Sequence, residues 1–180
     1  LSLGIYARRV GIYPYSPYDF DNHVVTEIFD REMNKWIMLD PTTDGYFVDE
    51  SKMPLSLLEI RDKFANDEFV TFVTAADRMQ DLKKCREKNM ETNAYICKNL
   101  FSFRIDRQCR FGATDNRLVF APEHYSVKSG EIANMKFRIH NIPEEYSETI
   151  PQWESRLAEL EQSNEIARTH VDCMQKSPIA

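Results

Sequence analysis

Hydrophobic and polar positions alternate most clearly over residues 22–42, where His23-Val24-Val25-Thr26-Glu27-Ile28-Phe29 and Trp36-Ile37-Met38-Leu39-Asp40 flank a polar link, Asp30 to Lys35. β-Branched and aromatic runs bounded by turn residues predict two strands joined as a hairpin. Period-two alternation puts His23, Val25, Glu27 and Phe29 on one face of the first strand and Trp36, Met38 and Asp40 on one face of the second. Antiparallel pairing then brings the start of one strand to the end of the other, and His23 toward Asp40. Upstream, Ala7 to Tyr13 alternates as a strand. Downstream, a short apolar run at Tyr46-Phe47-Val48 precedes a helical pattern through Leu55, Leu57, Leu58, Arg61 and Phe64, with Pro54 in its first turn and Asn66-Asp67 at its exit.

Beyond Phe72 the pattern predicts a helix opening at Thr74 and Asp77 and running to about Asn89, with Met79 and Leu82 inward and Lys83, Lys84, Arg86, Glu87 and Lys88 solvated. Tyr95 to Ile105 starts helical and ends as a strand. Arg117 to Pro122 and Met135 to Ile139 predict two further strands. Pro151 opens a last helix whose Trp153, Leu157 and Leu160 share one face, expected to dock on the sheet or on a partner. The tail from Asp172 is expected to be mobile. No internal repeat or low-complexity segment interrupts the chain.

The chemistry concentrates near the first hairpin. A carboxylate that accepts from one imidazole nitrogen sets the tautomer and leaves the other nitrogen to take a proton from a nucleophile, so His23 and Asp40 are candidate catalytic residues. Spacing alone leaves a second reading open, because Asp40 before Pro41 also suits a turn and His23 a strand start. Between the first two strands lies an aromatic, proline-containing loop, in which Tyr13, Tyr15, Tyr18 and Phe20 are candidates for one wall of a substrate cleft. Covering the edge of the core is an equally good use for these rings. Asn22 could orient His23 or simply make a turn; Glu27, on the His23 face, could support the pair or serve the structure.

Composition narrows this little. The chain has 180 residues, 42% hydrophobic and 29% charged, enough to bury a real core and ordinary for a folded protein. A net charge of −6 argues against nonspecific nucleic-acid binding. No apolar stretch approaches the roughly 20 residues of a membrane span. There is no signal-peptide pattern at the start, which by itself carries no information on export. Cys85, Cys97 and Cys109 fall at gaps of twelve, unlike zinc-site or disulfide-scaffold spacing, and Cys97 beside Ile96 suits a small buried hydrophobe. His23, His124, His140 and His170 are scattered, so neither a metal nor a cofactor is expected.

Leu3-Gly4-Ile5-Tyr6-Ala7-Arg8, then His23-Val24-Val25-Thr26-Glu27, then Trp36-Ile37-Met38-Leu39-Asp40-Pro41-Thr42 resembles the core of the transglutaminase-like superfamily. That family carries Leu-Gly-Ile-Pro-Ala-Arg, His-aromatic-x-Glu and Trp-x-x-Leu-Asp-Pro-Thr in this order. The likeness covers about the first quarter of the chain and extends to about residue 66 if the helix after the Asp strand is counted. Departures are Tyr6 for proline, Val25 for tryptophan, and a slightly longer hairpin. The resemblance implies His23 as catalytic histidine and Asp40 as third triad member. It also implies a nucleophilic cysteine at a helix start upstream of the Leu-Gly-Ile segment. No cysteine precedes His23, so the nucleophile is expected outside this chain, either in a longer protein, the preferred reading, or lost altogether.

The expectation is therefore an α+β, transglutaminase-like domain, partial at its N-terminus, with residues 1–66 as the core and 67–180 as an extension of the same domain. The function implied is acyl transfer from a protein or peptide amide through an acyl-enzyme, with water and amine acceptors not distinguished. Two readings of other classes compete: a noncatalytic protein-binding module that retains the pair, and an assembly protein docking through the Trp153 helix. Oligomeric state is not legible.

Overall fold

The first hairpin sits in the middle of the sheet. In the computed structural model, which describes residues 4–77, 81–106, 117–122 and 125–162, β2 (His23–Asp30) and β3 (Lys35–Asp40) pair antiparallel with Glu27 opposite Met38 and Phe29 opposite Trp36. Their turn closes through Asp30, whose Oδ1 accepts from the backbone of Glu32 and Met33 at 2.9 Å each, while Asn34 takes the left-handed conformation with φ 51°. Asn tolerates that conformation better than most residues.

Five more strands extend the hairpin: β1 (Ala7–Tyr13), β4 (Gly45–Asp49), β5 (Val70–Thr74), β6 (Ser102–Asp106) and β7 (Arg117–Phe120). The order is β5-β4-β3-β2-β1-β6-β7, and every neighbouring pair is antiparallel. With α1 (Leu57–Ala65), α2 (Leu82–Lys88), α3 (Met90–Asn99), α4 (Val127–His140) and α5 (Ile150–Gln162), the described residues form an α+β fold on a single seven-stranded antiparallel sheet. Among those residues, no helix is long and apolar enough to cross a membrane.

Alternation divides the sheet into two faces. On one, Val10, Ile12, Val25, Met38, Phe47 and Phe103 pack with Leu57 and Ile60 of α1 and Ile96 of α3 into the main core. That core draws strands and helices from both sides of residue 66. On the other face, Val48 and Val73 meet Cys85 of α2, while α4 and α5 cover the β1–β6–β7 end.

Sequence and structure part company at three elements. Pro54 does not open a helix. Instead Pro54 bridges to Val48, and Leu55 donates to Phe47 O at 3.0 Å and accepts from Met38 N at 2.9 Å, so this segment wedges between β3 and β4 where they diverge. The helix starts at Leu57 behind Ser56, which forms a reciprocal capping box with Glu59. Thr74 and Asp77 likewise end β5 rather than start a helix: Asp77 accepts from Thr74 N at 2.8 Å, Thr74 Oγ1 at 2.9 Å and Lys88 Nζ at 2.5 Å. The helix that follows is capped by Asp81 and keeps the expected charged face exposed.

Met135 to Ile139 lies inside α4, not in a strand. A five-residue alternation fits either period when read alone, but Glu131, Ala133, Lys136 and Arg138 favour a helix across the longer window. Cys97, expected as a small buried hydrophobe, is exposed, whereas Cys85 is buried against the sheet. The α3–β6 passage, β7 and the Trp153 face fall where expected, although α5 packs on α4, with Lys136 Nζ 2.8 Å from Glu161 Oε1. Met79, Cys109, His124, His170, Cys173 and the tail from Asp172 lie outside the described residues.

Two expectations follow. A Cβ at Gly45, directly after the turn from Asp40, would overlap Val73 O and Phe72 Cζ. Gly45→Ala should therefore cost about 1–3 kcal/mol through overpacking; urea denaturation at parental stability would contradict this. Asp77 is held well below its ordinary 3.8 first by Lys88 and then by the Thr74 backbone, so its stabilisation is complete above its unfolded value and is lost as pH falls below it. Asp77→Asn should lower stability at pH 7 and lose that deficit toward pH 2, as followed by thermal melts across pH.

Candidate functional site

Register explains why His23 and Asp40 meet. Carrying the β2–β3 pairing one step past Thr26–Leu39 sets Val25 opposite Asp40, and His23 lies one same-face step beyond Val25. Same-face diagonal neighbours are within reach of long side chains. His23 Nε2 lies 2.8 Å from Asp40 Oδ2, with the imidazole 13% exposed and the carboxylate 1% exposed.

Asp40 is fully engaged. Besides His23, Oδ2 accepts from Thr43 Oγ1 at 2.8 Å, and Oδ1 accepts from Thr42 N at 2.9 Å. The turn role and the histidine-partner role are thus filled by the same carboxylate, with Oδ2 shared between His23 and Thr43. Carboxylate oxygens accept, so Nε2 is the donor in this contact and Nδ1 is the nitrogen left to act as a base. Nδ1 has no hydrogen bond to any described residue.

The remaining candidates are placed differently. Glu27 shares the His23 face but is bonded elsewhere: Arg8 donates to Oε2 from Nε at 2.9 Å and Nη2 at 2.6 Å, and Leu57 N donates to Oε1 at 2.9 Å. Its charge meets the first turn of α1, where the helix dipole favours an anion. The Arg8 guanidinium in turn lies 3.9 Å over the Trp36 ring. Glu27 therefore ties β1, β2 and α1 together and does not touch the pair. Asn22 is exposed and bonds to Phe20 O at 3.4 Å, not to His23.

The aromatic loop faces away from the pair. Tyr13 follows Ile12, which pairs with His23, so its ring falls on the opposite face, where Arg104 lies 4.1 Å over it. Tyr15 packs edge-on to Phe101, and Tyr18 and Phe20 pack on Phe137 of α4. Tyr13 and Phe20 line a cavity of about 620 Å³ between the sheet, α4 and α5, which His23 does not line. The four rings thus do not make a wall around His23.

The residue that the sequence reading missed is Tyr95 of α3, whose ring centroid is 5.5 Å from that of His23 at an interplanar angle of 75°. It stands 55 positions after Asp40 in an unremarkable helical run, so no local signal marks it. Neither described cysteine is an activated thiol: burial pushes Cys85 up, with Asp77 adding to it, and partial burial pushes Cys97 up. Among the described residues no group of His, Cys, Asp and Glu could hold a metal ion.

No family model, curated protein or solved structure matches this chain. The site is thus defined by its own geometry, a histidine–aspartate pair at one end of an antiparallel sheet.

Removing the Glu27 charge tests its structural role. Glu27→Gln removes the buried carboxylate that Arg8 and the Leu57 amide bond to and should cost about 3 kcal/mol, the low end for breaking a buried pair because the Arg8 side chain keeps some solvent. Chemical denaturation should show that loss; a change below about 1 kcal/mol would mean that the pair is not a keystone.

Proposed function

We propose that this chain supplies the histidine and aspartate of a transglutaminase-like cysteine enzyme acting on a protein or peptide amide, with the thiol contributed from outside these residues. The observation that supports the reading is the His23 Nε2–Asp40 Oδ2 contact at 2.8 Å, made by a buried carboxylate whose other bonds hold it still, with Nδ1 bonded to none of the described residues. The resemblance in residues 3–42 supplies the reaction class.

In this scheme Nδ1 takes the thiol proton, and the thiolate attacks the amide carbonyl. The imidazolium returns that proton to the departing amine as the C–N bond breaks and a thioester forms. Water or an amine then gives its proton to Nδ1 while attacking the thioester; the C–S bond breaks, the acid or new amide leaves, and the imidazolium returns the proton to the departing thiolate. Asp40 stabilises the imidazolium in both halves and keeps the tautomer correct. A protein-binding module that retains the pair is the second reading; the exposed rings of Tyr15 and Tyr18 favour it, since large exposed aromatics are common at interfaces.

The test uses a protein that carries this chain together with an upstream cysteine, assayed for amine release from a peptide amide. His23→Ala should lower the rate about 10²- to 10⁴-fold. Asp40→Asn can keep its Oδ1–Thr42 bond and so the turn, but its amide would donate to Nε2 and force the proton onto Nδ1, removing the base. It should therefore melt near the parent and turn over far more slowly. Parental activity in Asp40→Asn would leave Asp40 as a turn residue only, and a cysteine-bearing protein with no activity at all would favour the binding module.

A further inference from the structure

We infer that Tyr95 is a positioning residue for the His23 imidazole, held in place by a latch from the loop ahead of β2; this rests on reading His23 as a proton carrier. One hydrogen bond does not fix a ring: the Nε2–Asp40 contact still lets the imidazole rock about its own axis. The Tyr95 ring, near-perpendicular at 75° and 5.5 Å away, meets the imidazole in the edge-to-face geometry that aromatic pairs prefer and restricts that rocking.

Tyr95 is itself tied down. Its hydroxyl donates to Asp21 Oδ1 at 3.4 Å, and Lys98, one turn further along α3, binds Asp21 Oδ2 at 3.0 Å and Asp19 Oδ2 at 2.9 Å. Burial and the nearby Asp21 carboxylate raise the phenol, which keeps it protonated as a donor. The loop alternates as a strand would: Asp19 and Asp21 turn to α3, whereas Tyr18 and Phe20 turn to Phe137 of α4. The segment entering β2 is thus strapped on both sides, and the strap ends two residues before His23.

The experiment reads the ring directly, by nitrogen NMR of the imidazole in this 180-residue chain, with the exchange of the Nε2 proton measured against the backbone amide of buried Val25. The parent should show one neutral tautomer, protonated at Nε2, with slowed exchange. Tyr95→Leu keeps apolar volume but removes the ring edge, and should speed exchange of the Nε2 proton about three- to tenfold relative to Val25, consistent with the small energy of one aromatic pair. Lys98→Met, an exposed change that preserves folding, and Tyr95→Phe, which keeps the ring but loses the bond to Asp21, each remove one arm of the latch and should shift exchange in the same direction by less. Unchanged exchange in both Tyr95→Leu and Lys98→Met overturns the assignment, and so does parallel acceleration at Val25, which would signal general loosening. If Tyr95→Leu fails to fold, Lys98→Met alone decides. Loss of the Nε2 proton signal in Asp40→Asn checks the pair separately, and the turnover of His23→Ala tests the catalytic reading whatever Tyr95 does.

Discussion

A carboxylate buried to 1% exposure must be neutralised or fully bonded, and Asp40 is fully bonded. Its three donors come from the strand start at His23 and from Thr42 and Thr43 in the turn that follows. Satisfying this one charge therefore determines where β3 stops, how the chain turns toward Gly45 and which way the imidazole points. Gly45 completes the arrangement: only a residue without a side chain lets β4 enter so close to Val73 and Phe72.

A second buried charge organises the other end of the hairpin. Glu27 collects Arg8 from β1 and the amide of Leu57 from α1, and Arg8 spreads over Trp36 of β3. Three strands and a helix are thereby locked around one carboxylate, leaving the strand pair stiff between Glu27 and Asp40. Placing His23 on a central strand of such a sheet serves any task that needs an imidazole held in one orientation.

Opposite faces of the sheet carry different work. The pair, Tyr95 and the main core lie on one face; the aromatic loop, α4, α5 and the cavity lie on the other. The loop joins the two because successive side chains point to opposite sides. That alternation is why Tyr18 and Phe20, although only a few residues from His23, pack away from it.

What residues 1–66 determined by themselves was the hairpin, the β1 strand, the leucine face of the first helix and the meeting of His23 with Asp40, because these depend on period-two alternation and on neighbours close in the chain. Four-residue turns on both sides of β3 leave little freedom in register. Short signals without such partners were ambiguous. Thr74 with Asp77 has the spacing of a helix start, yet Lys88 and Asn89 from a later helix bind the same carboxylate and make it a strand terminus. Met135 to Ile139 alternates over too few residues to choose a period. The destinations of Glu27, of the loop rings and of Cys85 and Cys97 were decided only in the tertiary structure. A buried charge takes whichever donor the packing brings, here Arg8 and Leu57, and an aromatic ring takes whichever face closes over it. Tyr95 reaches His23 because α3 crosses the core face between β5 and β1, a contact between residues 72 apart in the chain that no local pattern encodes.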